Sequence, residues 1–456
     1  MNGAELTGLY LEEVKRSGVR PTELHRGSKQ TPQLIQDFYQ ERYLTRPLFL
    51  GYEETQQLQT DLRNLHSALV SLPDRRFGGD LAAFARALGM AEVQVSAIMR
   101  SRGKTVTQQF RADLYPAATG FKLLELNMGS AIGGIDNSDL CRMYLKHPLL
   151  QQFAETHRLG FVDTMQEQVN NMFAETGFAP GSRPFMATTD WPSSFETLEP
   201  FMRHFDSRLQ EMGMDAHPCH IGQLEIRDGG VWLGEKRVDI IQRLFMLEDL
   251  LEYPDAAKLM DPILAAAARG DVKIFTPMDA ELFASKAALA MLSDEQTRPL
   301  LAPHELASID RILPWTRMVR PGPVTLEDGR EVELLEYAKT HRHELALKPT
   351  MQHGGKGVLL GWLPDTDQAT WEEQLQAALD EPYVVQRRIR PVPELFPSDD
   401  GDPVPWIVSW GVFSVINGYG GVYARASRVD SGNEVIGFYK GAFSGCCLHT
   451  LPPEDS

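Results

Sequence analysis

In the run FKLLELN (Phe121–Asn127) Glu125 and Asn127 flank Leu126, and just upstream, in RADLY, Arg111 and Asp113 flank Ala112. Alternation at a period of two marks strands, whose side chains point by turns to opposite faces. Between the two runs lies Pro116–Gly120, a turn signal that predicts an antiparallel hairpin of Phe110–Tyr115 with Phe121–Met128, centred near Ala118. In that register Asp113 stands across from Leu123, and Arg111 across from Glu125. Arg111, Asp113, Glu125 and Asn127 then share one face, and Phe110, Ala112, Leu114, Leu124 and Leu126 the other. One acid on a strand would be an ordinary solvated face. Three oxygen donors beside an arginine suit magnesium ions on a nucleoside triphosphate, because hard cations take carboxylate and amide oxygens.

At 456 residues the chain exceeds one compact core and is expected to divide into two or three domains. A formal charge of -17 argues against nucleic acid as the main partner, since phosphate backbones are bound by basic surfaces. The opening MNGAELTGLYLEEVKRSG has no apolar core of a leader, and no apolar run approaches a membrane helix, so no membrane partner and a cytoplasmic location are expected. Cys141, Cys219, Cys446 and Cys447 are too scattered for a disulfide scaffold or a zinc site and read as reduced thiols.

From Pro32 to about Arg100, apolar residues recur every three or four positions (TPQLIQDFYQERYL, YEETQQLQTDLRNLHSALVSL, LAAFARALG, AEVQVSAIMRSR), which predicts a helical scaffold without chemistry. The hairpin follows, then a glycine-rich stretch, Met128–Gly134, then helices at SDLCRMYL and through HPLLQQFAETHRLGFVDTMQEQVNNMFAE. From Arg183 to Met278 the pattern becomes strand, helix, hairpin and strand (RPFMATTDW, FETLEPFMRHFDSRLQEMG, CHIGQLEIRDGGVWLGEKRVDIIQRLF, VKIFTPM). Such alternation predicts a small inserted α/β unit with a parallel sheet.

In the last third, Leu345–Pro349 reads as a strand carrying Lys348 and runs into the glycine loop TMQHGGKG and a second strand, VLLGW. A loop of this kind can cover phosphates with backbone N–H groups, or be a plain turn; it lacks the P-loop order. YVVQRRIRP reads as a strand, and GVFSVINGYGGVYARAS as two strands carrying Arg425.

In this order the segments resemble the ATP-grasp ligases in their circularly permuted form, the branch that includes glutathione synthetase and the glutathionylspermidine synthetases. ELNMGSAIGGIDNSDL is similar to that family's EIN…GG segment, LKPTMQHGGKG to its LKP…GGG flap, YVVQRRIRP to its adenine strand, VDIIQRLF to its VxxxYxR segment, and GGVYARAS to a strand whose arginine lies near the reacting phosphate. The resemblance implies an α/β (α+β) fold of antiparallel sheets, with a helical part and the metal hairpin in 1–160, an inserted parallel α/β substrate domain in 161–278, and the lid and nucleotide core in 279–456. It implies ATP and Mg2+ as cofactors, with Asp113, Glu125 and Asn127 as metal ligands. Lys286, Lys348, Gln352, Gly354, Gly355, Gln386, Arg387 and Ile389 would hold the nucleotide. Arg425 and Lys348 would stabilise the transferring phosphoryl group, while Arg111, Ser130 and Arg243 would meet substrate. Arg111 reads equally as a structural partner of Glu125, and Arg243 as a surface ion pair.

The activity implied is amide-bond formation through an acyl phosphate on an amino acid or short peptide, γ-glutamyl ones included, with a lean toward a homodimer. The alternatives are nucleotide binding without ligation, and phosphoryl transfer alone. Three positions depart from the glutathione synthetase pattern: Gln352 replaces a glutamate, Arg387 an acid and Ser427 a lysine.

Overall fold

The computed structural model describes residues 1–24, 39–40, 42–129, 131–253, 256–352, 355–437 and 440–453. Its central sheet runs in the order Leu48–Leu50, Phe443–Thr450, Gly418–Arg428, Val404–Val415, Phe110–Ala117, Gly120–Met128. All neighbours along this path are antiparallel except Leu48–Leu50, which pairs in parallel with Cys447–His449. Alternation along Val404–Val415 and Gly418–Arg428 buries Val408, Trp410 and Val412 with Val422, Ala424 and Ala426. That face shares one core with Ala112, Leu114 and Leu126, and with Leu58, Leu62, Leu65 and Leu69 of the helix Tyr52–Val70.

The hairpin forms where the sequence predicts it, with a different register. Asp113 stands opposite Glu125 and Arg111 opposite Asn127, while Leu114 faces Leu123. Leu124 has no partner across the ladder, and the register shifts there: it is the extra residue of a β-bulge, which reverses the alternation beyond it. Leu123 is therefore buried with Leu114 and Leu126, and Leu124 turns to the other face, beside Tyr115. The expectation that Leu124 joins the apolar face is corrected accordingly. The shared face of Arg111, Asp113, Glu125 and Asn127 survives, because all four lie on one side of the bulge.

A second sheet is wholly parallel, in the order Lys273–Phe275, Ile240–Arg243, Phe185–Asp190, Asp215–His220. Met186, Ala216 and Ile240 on one face meet Met165, Val169 and Met172 of the helix Thr164–Thr176 and Leu209 of the helix Pro192–Glu211. Ala187 and Ile241 on the other share a core with Ile263 and Leu264 of the helix Ala256–Arg269. The strand Asp215–His220 begins earlier than the sequence reading, which ran from Cys219 directly into a hairpin; that hairpin is Leu224–Arg227 with Gly230–Leu233.

The third sheet is antiparallel: Thr316–Met318, Tyr383–Arg387, Leu345–Pro349, Leu359–Leu360. Trp315, Leu345, Leu347, Trp371 and Val385 form its core.

Helices occupy Tyr52–Val70, Leu72–Phe77, Leu81–Ala87 and Glu92–Ser101, as the periodicity predicts. Of the helix expected at TPQLIQDFYQERYL, residues 31–38 and 41 lie outside the described residues. Leu48–Leu50 is a strand inside the span read as helical, because its pairing partner lies near the other end of the chain. Gly3–Ser17, which the periodicity reading passed over, is a helix whose Asn2 and Glu5 form a reciprocal cap. All four cysteines are buried free thiols. Among the described residues no helix is long and apolar enough to cross a membrane.

Candidate functional site

Between the central sheet and the third sheet lies a cleft of about 410 Å³. One end is apolar, lined by Tyr115, Leu124, Ile389, Ile407 and Ile436, which pack as one cluster. At the other end Asp113, Glu125, Lys286, Lys348, Gln386 and Arg425 converge. The bulge makes this division possible: without it Leu124 would point into the core, and the apolar end would lose a wall.

Lys348 reaches the cleft from its strand almost wholly buried. Its Nζ donates to Gln386 Oε1 at 2.6 Å and to the Leu124 carbonyl at 3.2 Å. Burial, and then repulsion from Lys286, bring its ammonium pKa down to about 8 against the opposing pull of Glu125. Lys286 opens the helix Lys286–Ser293, which Ser285 caps. Its Nζ donates to the Gln352 carbonyl at 2.8 Å and lies 3.4 Å from Glu125. A second tie, from the Lys286 backbone N–H to the Thr350 carbonyl, joins this helix to the start of the glycine loop.

Asp113 is the most heavily donated-to group in the cleft. Arg111 Nε reaches its Oδ1 at 2.8 Å, while Oδ2 accepts from Arg425 at 2.6 Å, Arg111 at 3.2 Å and Asn127 Nδ2 at 3.3 Å. Three of the four donors crowd Oδ2 and one meets Oδ1. Burial alone would raise the pKa of Asp113, yet the charges of Arg111 and Arg425 outweigh it and hold the group well below the usual carboxylate range.

The other predicted residues are placed as follows. Arg111 spends its third contact on the Ile132 carbonyl and does not line the cleft; its carboxylate partner is Asp113, not Glu125. Arg243 is no surface pair: it is buried, donating to Glu281 and to the carbonyls of Thr276 and Phe245, outside the cleft. Gln352 offers Lys286 its carbonyl while its side chain is exposed. Arg387 lines the cleft but forks onto Glu327 with two bonds of 2.7 Å and donates to Tyr337 Oη. Gly355 lines the cleft in a left-handed conformation (φ 77°) in which a Cβ would come within 2.9 Å of Val435. Ser130 and Gly354 lie outside the described residues.

Tyr115, Ile407, Ile436 and Thr316 were not singled out from the sequence. Tyr115 carried a usable signal, since it continues the face of Arg111 and Asp113 by two-residue steps. Ile436 sits in a connection whose position depends wholly on tertiary packing.

Among the described residues no cluster of three or more His, Cys, Asp or Glu side chains is shaped to hold a metal ion. Magnesium on a triphosphate needs less, one or two carboxylates with phosphates and water filling the rest. Among the described residues Glu125 has only the 3.4 Å contact with Lys286, and Asn127, donating through Nδ2, turns its Oδ1 away from Asp113. Glu125 lines the cleft, where such an ion would sit; Asn127 shares its face of the strand but does not line the cleft, and Asp113 is engaged by two arginines.

The fold is mixed α/β, with antiparallel sheets around a cleft and a separate parallel sheet, and a glutathione synthetase-like protein of known structure shares it. Among solved structures, a glutathione synthetase-like effector from Globodera pallida superposes with a TM-score of 0.54 at 13% identity, covering 93% of this chain and 98% of that one. A protein assigned as a gamma-glutamylcysteine synthetase from Methylobacillus flagellatus gives 0.40 at 12% identity over 84% of this chain and 85% of that one. The D-cycloserine synthetase DcsG gives 0.25 at 13% identity over 59% and 92%. The last two scores are too low to speak to the fold. No family model matches the chain, and no curated protein matches it in sequence.

Proposed function

We propose that the cleft binds ATP with magnesium and that the chain is a carboxylate–amine ligase. One observation carries this reading: three cations, Lys286, Lys348 and Arg425, and the carboxylate Glu125 meet at one end of a cleft whose other end is an apolar slot. A flat aromatic base suits the slot, and a triphosphate suits the cations. A substrate carboxylate oxygen would attack the γ-phosphorus as the bond to the ADP oxygen breaks. An amine would then attack the acyl carbon, releasing phosphate and a proton.

Little covalent work falls to the protein, so positioning and charge stabilisation dominate. Lys286, Lys348 and Arg425 would neutralise the transferring phosphoryl group. A divalent ion held by Glu125 would supply further charge neutralisation on the phosphates. The glycine loop at Gly355 would exclude water, which otherwise destroys an acyl phosphate. The parallel unit around Phe185–Phe275 is assigned to substrate, and the order of the segments to the permuted form of the family. The acid and amine are expected to be amino acids or short peptides.

The test is ADP release on mixing ATP and magnesium with an amino-acid pool, comparing parent with Glu125→Gln. The variant is expected to lose about a thousandfold; parental turnover by the variant would remove Glu125 from the site. A second reading, nucleotide binding without ligation, is favoured by the engagement of Asp113 with two arginines. Hydroxylamine separates the two, since only an acyl phosphate yields a hydroxamate.

A further inference from the structure

Three adjacent strands of the third sheet put three polar side chains in a row on one face. Thr316 stands directly opposite Gln386, and Lys348 pairs with Val384, which makes Gln386 its diagonal neighbour on the same face. All three are buried. The direction of every bond in the row is fixed by the lysine. An ammonium only donates, so the atom that faces it at 2.6 Å is Gln386 Oε1. The amide nitrogen must then point the other way, and it meets Thr316 Oγ1 at 3.1 Å. Thr316, now an acceptor, sends its own hydrogen to the Pro314 carbonyl at 2.8 Å. With Gln386 and Leu124 taking two of the three Lys348 N–H bonds, one remains for a ligand in the cleft.

We propose that Thr316 and Gln386 are positioning residues that aim the Lys348 ammonium at the phosphates, and that Gln386 does not read the base. The inference rests on the nucleotide reading above and goes beyond it. The sequence resemblance assigned Gln386 to the adenine strand, but its carboxamide is spent on Lys348 and Thr316. Thr316 acts through Gln386 by holding the amide in the orientation the lysine requires. A flipped amide would present a donor to a donor.

Binding of ATP and of adenosine by calorimetry, for the parent, Gln386→Leu, Thr316→Val and Thr316→Ser, tests the assignment. Gln386→Leu and Thr316→Val are each expected to weaken ATP about tenfold and to leave adenosine unchanged, because the first removes the bond to the Lys348 ammonium and the second frees the amide that makes it, both at the phosphate end only. Thr316→Ser keeps the hydroxyl and is expected to match the parent. A parallel loss of adenosine affinity would make Gln386 a base reader and overturn the proposal, as would parental ATP affinity in Thr316→Val. If the parent binds no nucleotide, the proposed activity fails by itself, and the lysine is read directly from its acylation rate with acetic anhydride. Faster labelling of Lys348 in Thr316→Val than in the parent and Thr316→Ser supports the holder role; equal rates overturn it.

Discussion

Arg425 donates to Asp113 at 2.6 Å across the intervening strand Val404–Val415 of the central sheet, joining positions 312 residues apart in the chain. With Arg111 on its other oxygen, Asp113 balances two guanidinium groups that are themselves largely buried. That clamp fixes the floor of the cleft, and removing its carboxylate leaves two cations facing one another in a poor solvent for charge.

Asp113→Asn is therefore expected to lower the unfolding free energy by about 3 kcal/mol, the order seen when one partner of a buried ion pair is removed. Urea unfolding of parent and variant checks it. The double variant with Arg425→Met should recover part of the loss, since it also removes one of the stranded charges.

Acid should act through the same carboxylate. Its folded-state pKa lies below the ordinary 3.8, at about 2, so its contribution to stability is full above about 4 and is lost as pH falls toward 2. The urea midpoint of the parent should drop across that window, and that of Asp113→Asn should drop less.

Asp206 works in the opposite sense. Burial raises its pKa to about 7, with a partial offset from the Thr188 hydroxyl, whose bond to Oδ1 is 2.5 Å; among the described residues Oδ2 has no hydrogen-bond partner. The folded protein thus holds a proton there that the unfolded chain releases near 3.8. Its stabilising effect is full below about 4 and is lost as pH rises through 7. Asp206→Asn should flatten the pH dependence of the midpoint between 4 and 8 and be the more stable protein at pH 8.

At the glycine loop, Gly355→Ala forces a Cβ into a left-handed conformation and against Val435. The strain is about 1–2 kcal/mol. ATP affinity should fall by roughly tenfold, with the urea midpoint of the whole chain little changed, because the loop lies at the cleft and outside the cores.

The hairpin faces, the helical run, the parallel unit and the lysine strand were legible in the amino-acid sequence, because each expresses a local period of two or of about 3.6 along the chain. The bulge at Leu124 was not. It comes from pairing with the strand across, and it alone decides that Leu124 faces the slot while Leu123 enters the core. The site divides in the same way. Spacing brought Asp113, Glu125 and Asn127 onto one face, while the partners of each group, Arg425 on Asp113, Lys286 on Glu125 and Gln386 on Lys348, lie tens to hundreds of residues away in the chain. Strand alternation is a property of neighbouring residues and can be read from them. Which charge meets which depends on how distant strands register and how sheets pack, and only the folded chain decides that.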